Sequence, residues 1–240
     1  MSEEQYSWEE LFGETLPKAC GRSTGLEKKT NELSWSTCSE KIVLEDSGCN
    51  LQICNASALS LFILRYELWR NSLNNLQRLK KIARRCDFFV ASERGDDLVL
   101  VCELTKLQSL DSLEKPIRSG ETTTIGERKE KQFIHTLETL QKSSKLWTRV
   151  QNAATKVCLL VCQLSQANED SLYNNISTAF EAPLRNEAVE SLGVGVAYPF
   201  PEIEPWGFTY RRLSTLAEHT AEVDLTKMLR YGAEEDLALT

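Results

Sequence analysis

Long apolar runs are missing from this chain. Its most apolar stretches, Leu59 to Leu64 and Val157 to Cys162, cover six residues each, whereas a membrane-spanning helix needs about 18 to 20. The start, Met1-Ser-Glu-Glu, has neither a basic n-region nor an apolar h-region, so nothing marks export and the expected location is cytoplasmic, away from membranes. Cysteine is sparse, eight in 240 residues, and no pair has the CxxC spacing; a disulfide scaffold and the common zinc sites are excluded on that ground. Cys102, Cys158 and Cys162 lie inside apolar runs, where a thiol behaves as a small hydrophobe. Only two histidines, His135 and His219, could activate a cysteine nucleophile, and neither carries a motif.

An excess of positive charge is also absent, with a net charge of −7. The acidity is unevenly spread. Residues 1–20 hold five glutamates against Lys18, and residues 218–240 hold six acids against Lys227 and Arg230. Each end is therefore −4 and the body, 21–217, is +1, so a low pI leaves room for a nucleic-acid surface on the body. Its densest cluster is Arg78, Lys80, Lys81, Arg84 and Arg85. Leu73, Leu76, Leu79 and Ile82 recur at helical spacing through it, which places these cations on an amphipathic helix. A run of this kind is either a solvated helix face or a nucleic-acid contact.

Three regions are expected: an acidic leader (1–40), an α/β body (41–217) and an acidic C-terminal helix and tail (218–240). The leader reads as poorly packed apart from one amphipathic piece, Tyr6, Trp8, Leu11 and Phe12. That piece either packs on the body or docks a partner protein. Lys41 to Asp46 and Leu51 to Cys54 read as short strands, and Ala58 to Trp69 fits both the helical and the strand template. Asp87 to Ala91 and Leu98 to Thr105 are two apolar runs joined by a polar, glycine-containing turn, which predicts a β-hairpin. A long helix is expected from Glu127 to Ala153, then a central strand from Lys156 to Leu164, apolar on both faces. Gly207 to Arg212 reads as a late strand and Val223 to Tyr231 as a closing helix. The alternation gives a mixed α/β layer.

Two acids stand out by position. Asp87 opens the first hairpin strand, and Glu103 lies near the end of the second after five apolar residues. In an antiparallel hairpin those positions are neighbours, and two adjacent carboxylates suit a hard divalent cation. A plainer reading pairs Asp87 with Arg84 or Arg85, and Glu103 with Lys106 or Lys156.

The string Arg85-Cys86-Asp87-Phe88-Phe89, followed by the hairpin to Val101-Cys102-Glu103-Leu104-Thr105, resembles the PD-(D/E)xK core of restriction-endonuclease-like nucleases. The resemblance covers roughly residues 75–165. It implies a restriction-endonuclease-like αβββαβ core, a central mixed sheet flanked by helices, and Mg²⁺ or Mn²⁺ held by Asp87 and Glu103. Thr105 stands where the motif has lysine. Lys106 would reach the site only through a bulge, which leaves Lys129 or Lys131 on the following helix as catalytic candidates, with His135 one turn further. The missing lysine also fits a domain that no longer cuts, a binding subunit in a bacterial defence or mobile-element complex. Such a subunit would meet a protein partner through the acidic termini and nucleic acid through the basic helix. The alternative is an active Mg²⁺-dependent DNA or RNA phosphodiesterase.

Overall fold

The computed structural model describes residues 6–74, 85–94, 96–118, 121–165, 193–216 and 219–230. Ten strands are found among them: β1 (Ser34–Thr37), β2 (Lys41–Asp46), β3 (Cys49–Cys54), β4 (Leu61–Arg65), β5 (Phe88–Ser92), β6 (Leu98–Leu107), β7 (Thr155–Leu164), β8 (Val196–Tyr198), β9 (Thr209–Leu216) and β10 (Ala221–Asp224). The helices are α1 (Trp8–Glu10), α2 (Leu16–Ala19), α3 (Glu27–Leu33), α4 (Tyr66–Asn74), α5 (Ile125–Gln141) and α6 (Ser144–Asn152). A π-helical turn, Leu11–Thr15, joins α1 to α2. The protein is an α/β structure built on a mixed sheet of seven strands in the order β1-β4-β5-β6-β7-β9-β8, with a second sheet ordered β10-β3-β2. No helix among the described residues is long and apolar enough to cross a membrane.

β4, β5 and β6 run as an antiparallel meander, and β7 then lies parallel to β6. The return requires a crossover, supplied by α5 and α6 on one face of the sheet. Val99 and Val101 of β6 and Cys158 and Leu160 of β7 enter the core beneath those helices. Leu98, Leu100 and Cys102 of β6 and Leu159 and Val161 of β7 enter a second core under the small sheet. This period-two division explains why β7 is apolar on both sides.

The long helix expected over 127–153 is two. Thr124 and Glu127 form a capping box that starts α5, and the Ser143 hydroxyl accepts the Leu146 N–H at 3.3 Å to start α6. A second N-cap in mid-run fixes the break at Lys142 and Ser143. The ambiguous stretch 58–69 divides at Tyr66 into the end of β4 and the start of α4. The C-terminal region opens on a strand rather than a helix: β10 pairs parallel to β3, and residues 225–230 are helical; Tyr231, the expected end of that helix, lies outside the described residues.

Within the described part of the leader, residues 8–17 are packed, whereas residues 18–40, Thr30 apart, are half-buried or exposed. Trp8, Leu11, Phe12 and Leu16 are each at most 2% exposed, at the spacing that puts them on one helical stripe. Phe12 meets Phe89 edge-on at 5.0 Å and Trp69 at 5.2 Å. The Trp8 indole N–H donates to the Ser92 carbonyl at 2.8 Å, and the Arg149 guanidinium lies 4.3 Å from its ring. The amphipathic piece is thus committed to the body of the molecule and is covered there.

Candidate functional site

The β5–β6 ladder ends with Phe88 opposite Cys102, and Asp87, just before it, lies near enough to Glu103 for the two carboxyls to affect each other. The Asp87 N–H donates to the Cys102 carbonyl at 2.9 Å. Glu103 lies on the face under α5, because Val101, two residues before it, belongs to that core, whereas Asp87 is also close to Asp46 and Cys49 of the small sheet. Both side chains are shut in, Asp87 at 7% exposure and Glu103 at 2%. The Asp87 Oδ2 accepts the Leu104 backbone N–H at 2.7 Å, which fixes the orientation of the carboxylate.

The sequence-level lysine candidates separate clearly. Lys129 Nζ donates to Glu103 Oε1 in an ion pair whose side chains are 13% and 3% exposed. Lys131 is exposed; two residues further along a helix is a rotation of about 200°, which turns it away from the sheet. Lys106 stays on the opposite face, because β6 pairs with β7 one to one from Leu98–Thr155 to Leu107–Leu164 and has no bulge. Its amine lies by the β2–β3 turn, only 2.9 Å from where a Cβ on Gly48 would stand. Lys156 donates to the Gln151 and Ala153 carbonyls, and it is Lys129, rather than Lys106 or Lys156, that answers Glu103. Thr105 shares the Glu103 face by alternation. His135 contacts Glu138 Oε2 at 3.3 Å on the helix surface. Of the basic cluster, Arg78, Lys80, Lys81 and Arg84 lie outside the described residues; Arg85 is buried at the entry to β5, 6% exposed.

The electrostatics follow from this packing. Burial, and then the negative charge of Glu103, push the Asp87 carboxyl well above its ordinary range, against the Leu104 N–H and Lys129, which pull it down. Burial also raises Glu103, with Lys129 opposing. Two carboxylates and one ammonium leave the site one negative charge in excess when all are ionised. Glu103 Oε2 is buried and makes no hydrogen bond of good geometry, though the Gln132 amide stands close enough to pull the carboxyl down. A hard cation fits that donor set: two neighbouring buried carboxylates and one negative charge in excess. Among the described residues no group of three or more His, Cys, Asp or Glu side chains is placed to hold a metal, so a cation here would complete its coordination with water or substrate.

Further residues join the site that the sequence had not singled out. Glu67, in the first turn of α4, is near enough to Glu103 to raise its carboxyl, and its backbone N–H approaches the Asp87 carbonyl at 3.4 Å. Gln132 donates from Nε2 to the Arg85 carbonyl at 2.9 Å. Next to Lys129 on α5, Glu130 accepts from Arg212 of β9 at 3.0 Å. The ladders set Glu103, Leu160 and Arg212 in one row across β6, β7 and β9. The first turns of α5 therefore straddle that row, with Lys129 reaching one side and Glu130 the other. The signal for Glu67 lay in the 58–69 stretch, whose double periodicity hid the helix start.

The eight cysteines are free, and five of them, Cys49, Cys86, Cys102, Cys158 and Cys162, are buried. Burial pushes the Cys162 thiol up to about 12 and that of Cys49 to about 11, which keeps them protonated and unreactive. Comparison of the chain with protein-family models, with curated proteins and with solved structures gave no match.

Proposed function

We propose that this chain is a metal-dependent nuclease of the PD-(D/E)xK type, a phosphodiesterase acting on DNA or RNA, whose lysine comes from helix α5. The observation that carries the reading is the contact of Lys129 with Glu103, whose carboxyl neighbours that of Asp87. The topology supports it as well. A β4-β5-β6 meander, a helix and a parallel β7 reproduce the βββαβ order of a restriction-endonuclease-like core, with α3 ahead of it and α4 inserted between β4 and β5.

In this reading Asp87 and Glu103 hold the Mg²⁺ or Mn²⁺, which when bound supplies Lewis acidity and a more acidic water. The Leu104 N–H keeps Asp87 aimed into the site. Lys129 places a fixed positive charge where negative charge develops on the phosphate, the role that Thr105 cannot fill. A preorganised cation in a dry site is worth far more there than in water.

The burial of Glu103 and its pairing with Lys129 favour a second reading: a nuclease-like domain that binds without cutting, as a subunit of a bacterial defence or mobile-element complex. One assay separates the two. Protein is incubated with Mn²⁺ or Mg²⁺ and plasmid, single-stranded DNA or RNA. Cleavage lost in both Glu103→Gln and Lys129→Met supports the enzyme. No cleavage by wild type at high protein concentration, or cleavage undiminished in Glu103→Gln, removes the enzyme reading and leaves the binding one.

A further inference from the structure

Lys129, Gln132 and Thr136 of α5 follow one another at positions i, i+3 and i+7, the spacing of a single helical stripe. All three act on the segments that carry the acids. Lys129 donates to Glu103 Oε1. The Thr136 hydroxyl accepts the Cys86 N–H at 3.2 Å, and Gln132 Nε2 donates to the Arg85 carbonyl at 2.9 Å, so the backbone just ahead of Asp87 is held at two points. The Gln132 amide also stands close enough to Glu103 to pull its carboxyl down. Gln132 is 4% exposed and Thr136 fully buried, so these contacts are made away from water.

Gln132 uses one end of its amide there. The Arg85 carbonyl can only accept, so the atom that faces it is the nitrogen. The other end, Oε1, is buried with no hydrogen-bond partner among the described residues. The oxygen and nitrogen of a planar amide are about 2.3 Å apart by their bond lengths, which keeps Oε1 in the neighbourhood of the Glu103 carboxyl. A buried acceptor left bare costs about 1 to 3 kcal/mol. Here it stands beside a second one, Glu103 Oε2, which makes no hydrogen bond of good geometry, and beside a surplus negative charge. One N–H donor would answer one of these oxygens and leave the charge. A divalent cation answers both together, and a carboxamide oxygen is an ordinary ligand for a hard ion.

We propose that Gln132 Oε1 is a third protein oxygen of the cation site, beside Asp87 and Glu103. The ion takes Oε2 of Glu103 while Lys129 keeps Oε1, so the lysine and the metal hold the same carboxylate from its two sides. The ligand is neutral, a carboxamide rather than a further acid, and it ties α5 to the two strands that carry the carboxylates. This inference rests on the cation of the nuclease reading and not on cleavage.

The test is Mn²⁺ binding without nucleic acid at about pH 8, followed by the loss of the free-ion EPR signal. Gln132→Met keeps the volume and removes the oxygen, and should weaken Mn²⁺ binding at least about tenfold. Gln132→Glu loses the same donation to Arg85 but keeps an oxygen and adds a charge, so it should bind Mn²⁺ at least as tightly as wild type. Were Gln132 a prop for the Arg85 carbonyl alone, both variants would weaken binding together, and that result overturns the proposal. The bound ion also gives a count: six octahedral positions less three protein oxygens leave about three waters at most, read by pulsed EPR in D₂O, with one more in Gln132→Met. Four or more waters on the wild-type ion overturn the proposal, whether or not the variants fold. Wild type that binds no Mn²⁺ at millimolar ion overturns it together with the cation of the nuclease reading. Tight binding unchanged in a folded Gln132→Met removes this ligand alone and leaves that reading in place.

Discussion

Replacing Lys129 by methionine removes the charge that answers Glu103 while keeping most of the volume of the side chain. Glu103 is 2% exposed and cannot recover its hydration without moving the strand. Breaking a buried ion pair from one side costs about 3 to 5 kcal/mol when the remaining charge stays. Glu103 has a cheaper escape, however, because it can take up a proton. An ordinary glutamate does so near pH 4.5, and each pH unit above that costs about 1.4 kcal/mol. At pH 7 the penalty is therefore capped at about 3.5 kcal/mol, and since burial already raises Glu103 in the wild type, the measured loss should fall below the cap. At pH 5 the same cap is under about 1 kcal/mol. For a chain of this size 1 kcal/mol moves Tm by roughly 2 to 4 °C, so the variant should melt up to roughly 10 °C below wild type at pH 7 and within a few degrees at pH 5, in metal-free buffer. The double variant Glu103→Leu/Lys129→Met should regain most of the loss at pH 7, since an apolar pair can replace a buried ion pair without net cost. A Tm difference that is the same at both pH values would refute the reasoning, because it would trace the loss to packing and not to charge.

Other outcomes follow from the same geometry. Because the folded carboxyl of Asp87 is raised, its proton-linked stabilisation is complete below the ordinary aspartate range and is lost as pH climbs toward about 8. Asp87→Asn keeps an oxygen for the Leu104 N–H and cannot ionise, so its advantage over wild type in melting should grow from pH 5 to pH 8.5; superimposable pH curves would contradict this. Mn²⁺ at about a hundred times its Kd should stabilise wild type by about 2.7 kcal/mol, read by calorimetry, and should leave Asp87→Asn unmoved; equal shifts in both would place the ion elsewhere. Trp8→Ala should cost about 3 to 5 kcal/mol in denaturant unfolding, and a loss below 1 kcal/mol would mean that the N-terminal helix is not part of the folding unit. Lys131→Ala should stay within about 0.5 kcal/mol of wild type and cut at the wild-type rate if the protein cuts; a cleavage defect there would move the lysine role away from Lys129.

The hairpin and the central strand were readable in the sequence because their periodicity is strong and local. That Asp87 and Glu103 come close follows from counting along two antiparallel runs, although the ladder ends at Phe88 and the break in register before Asp87 leaves no trace in the sequence. The choice of Lys129 over Lys131 or Lys106 is of another kind. It depends on the rotation of α5 about its axis, set by Phe133 and Leu137 entering the core, and on the unbroken register of β6. The packing of Trp8 and Phe12 was obscured by the glutamates around them, although these occupy the outer face of the same helical stripe. Arg85 was grouped with its basic neighbours by proximity in sequence, yet the chain enters β5 within two residues and carries that side chain inward. β10 is four residues of moderate hydrophobicity, and such a strand exists only because β3 offers an edge, a partner about 170 positions away.

That last pairing has a consequence for how the protein is made. Chains elongate at about 5 to 20 residues per second, so the β2–β3 hairpin emerges roughly 10 to 30 s before the residues that complete its sheet. During that interval the open edge of β3 presents unpaired amides and carbonyls to any extended segment nearby. Leu51 and Ile53, fully buried in the finished molecule, wait over the same period for Ala221 and Val223. A nascent chain halted before residue 221 would hold this edge open indefinitely, which makes the ribosome-bound intermediate, more than the released protein, the form most exposed to wrong strand pairing.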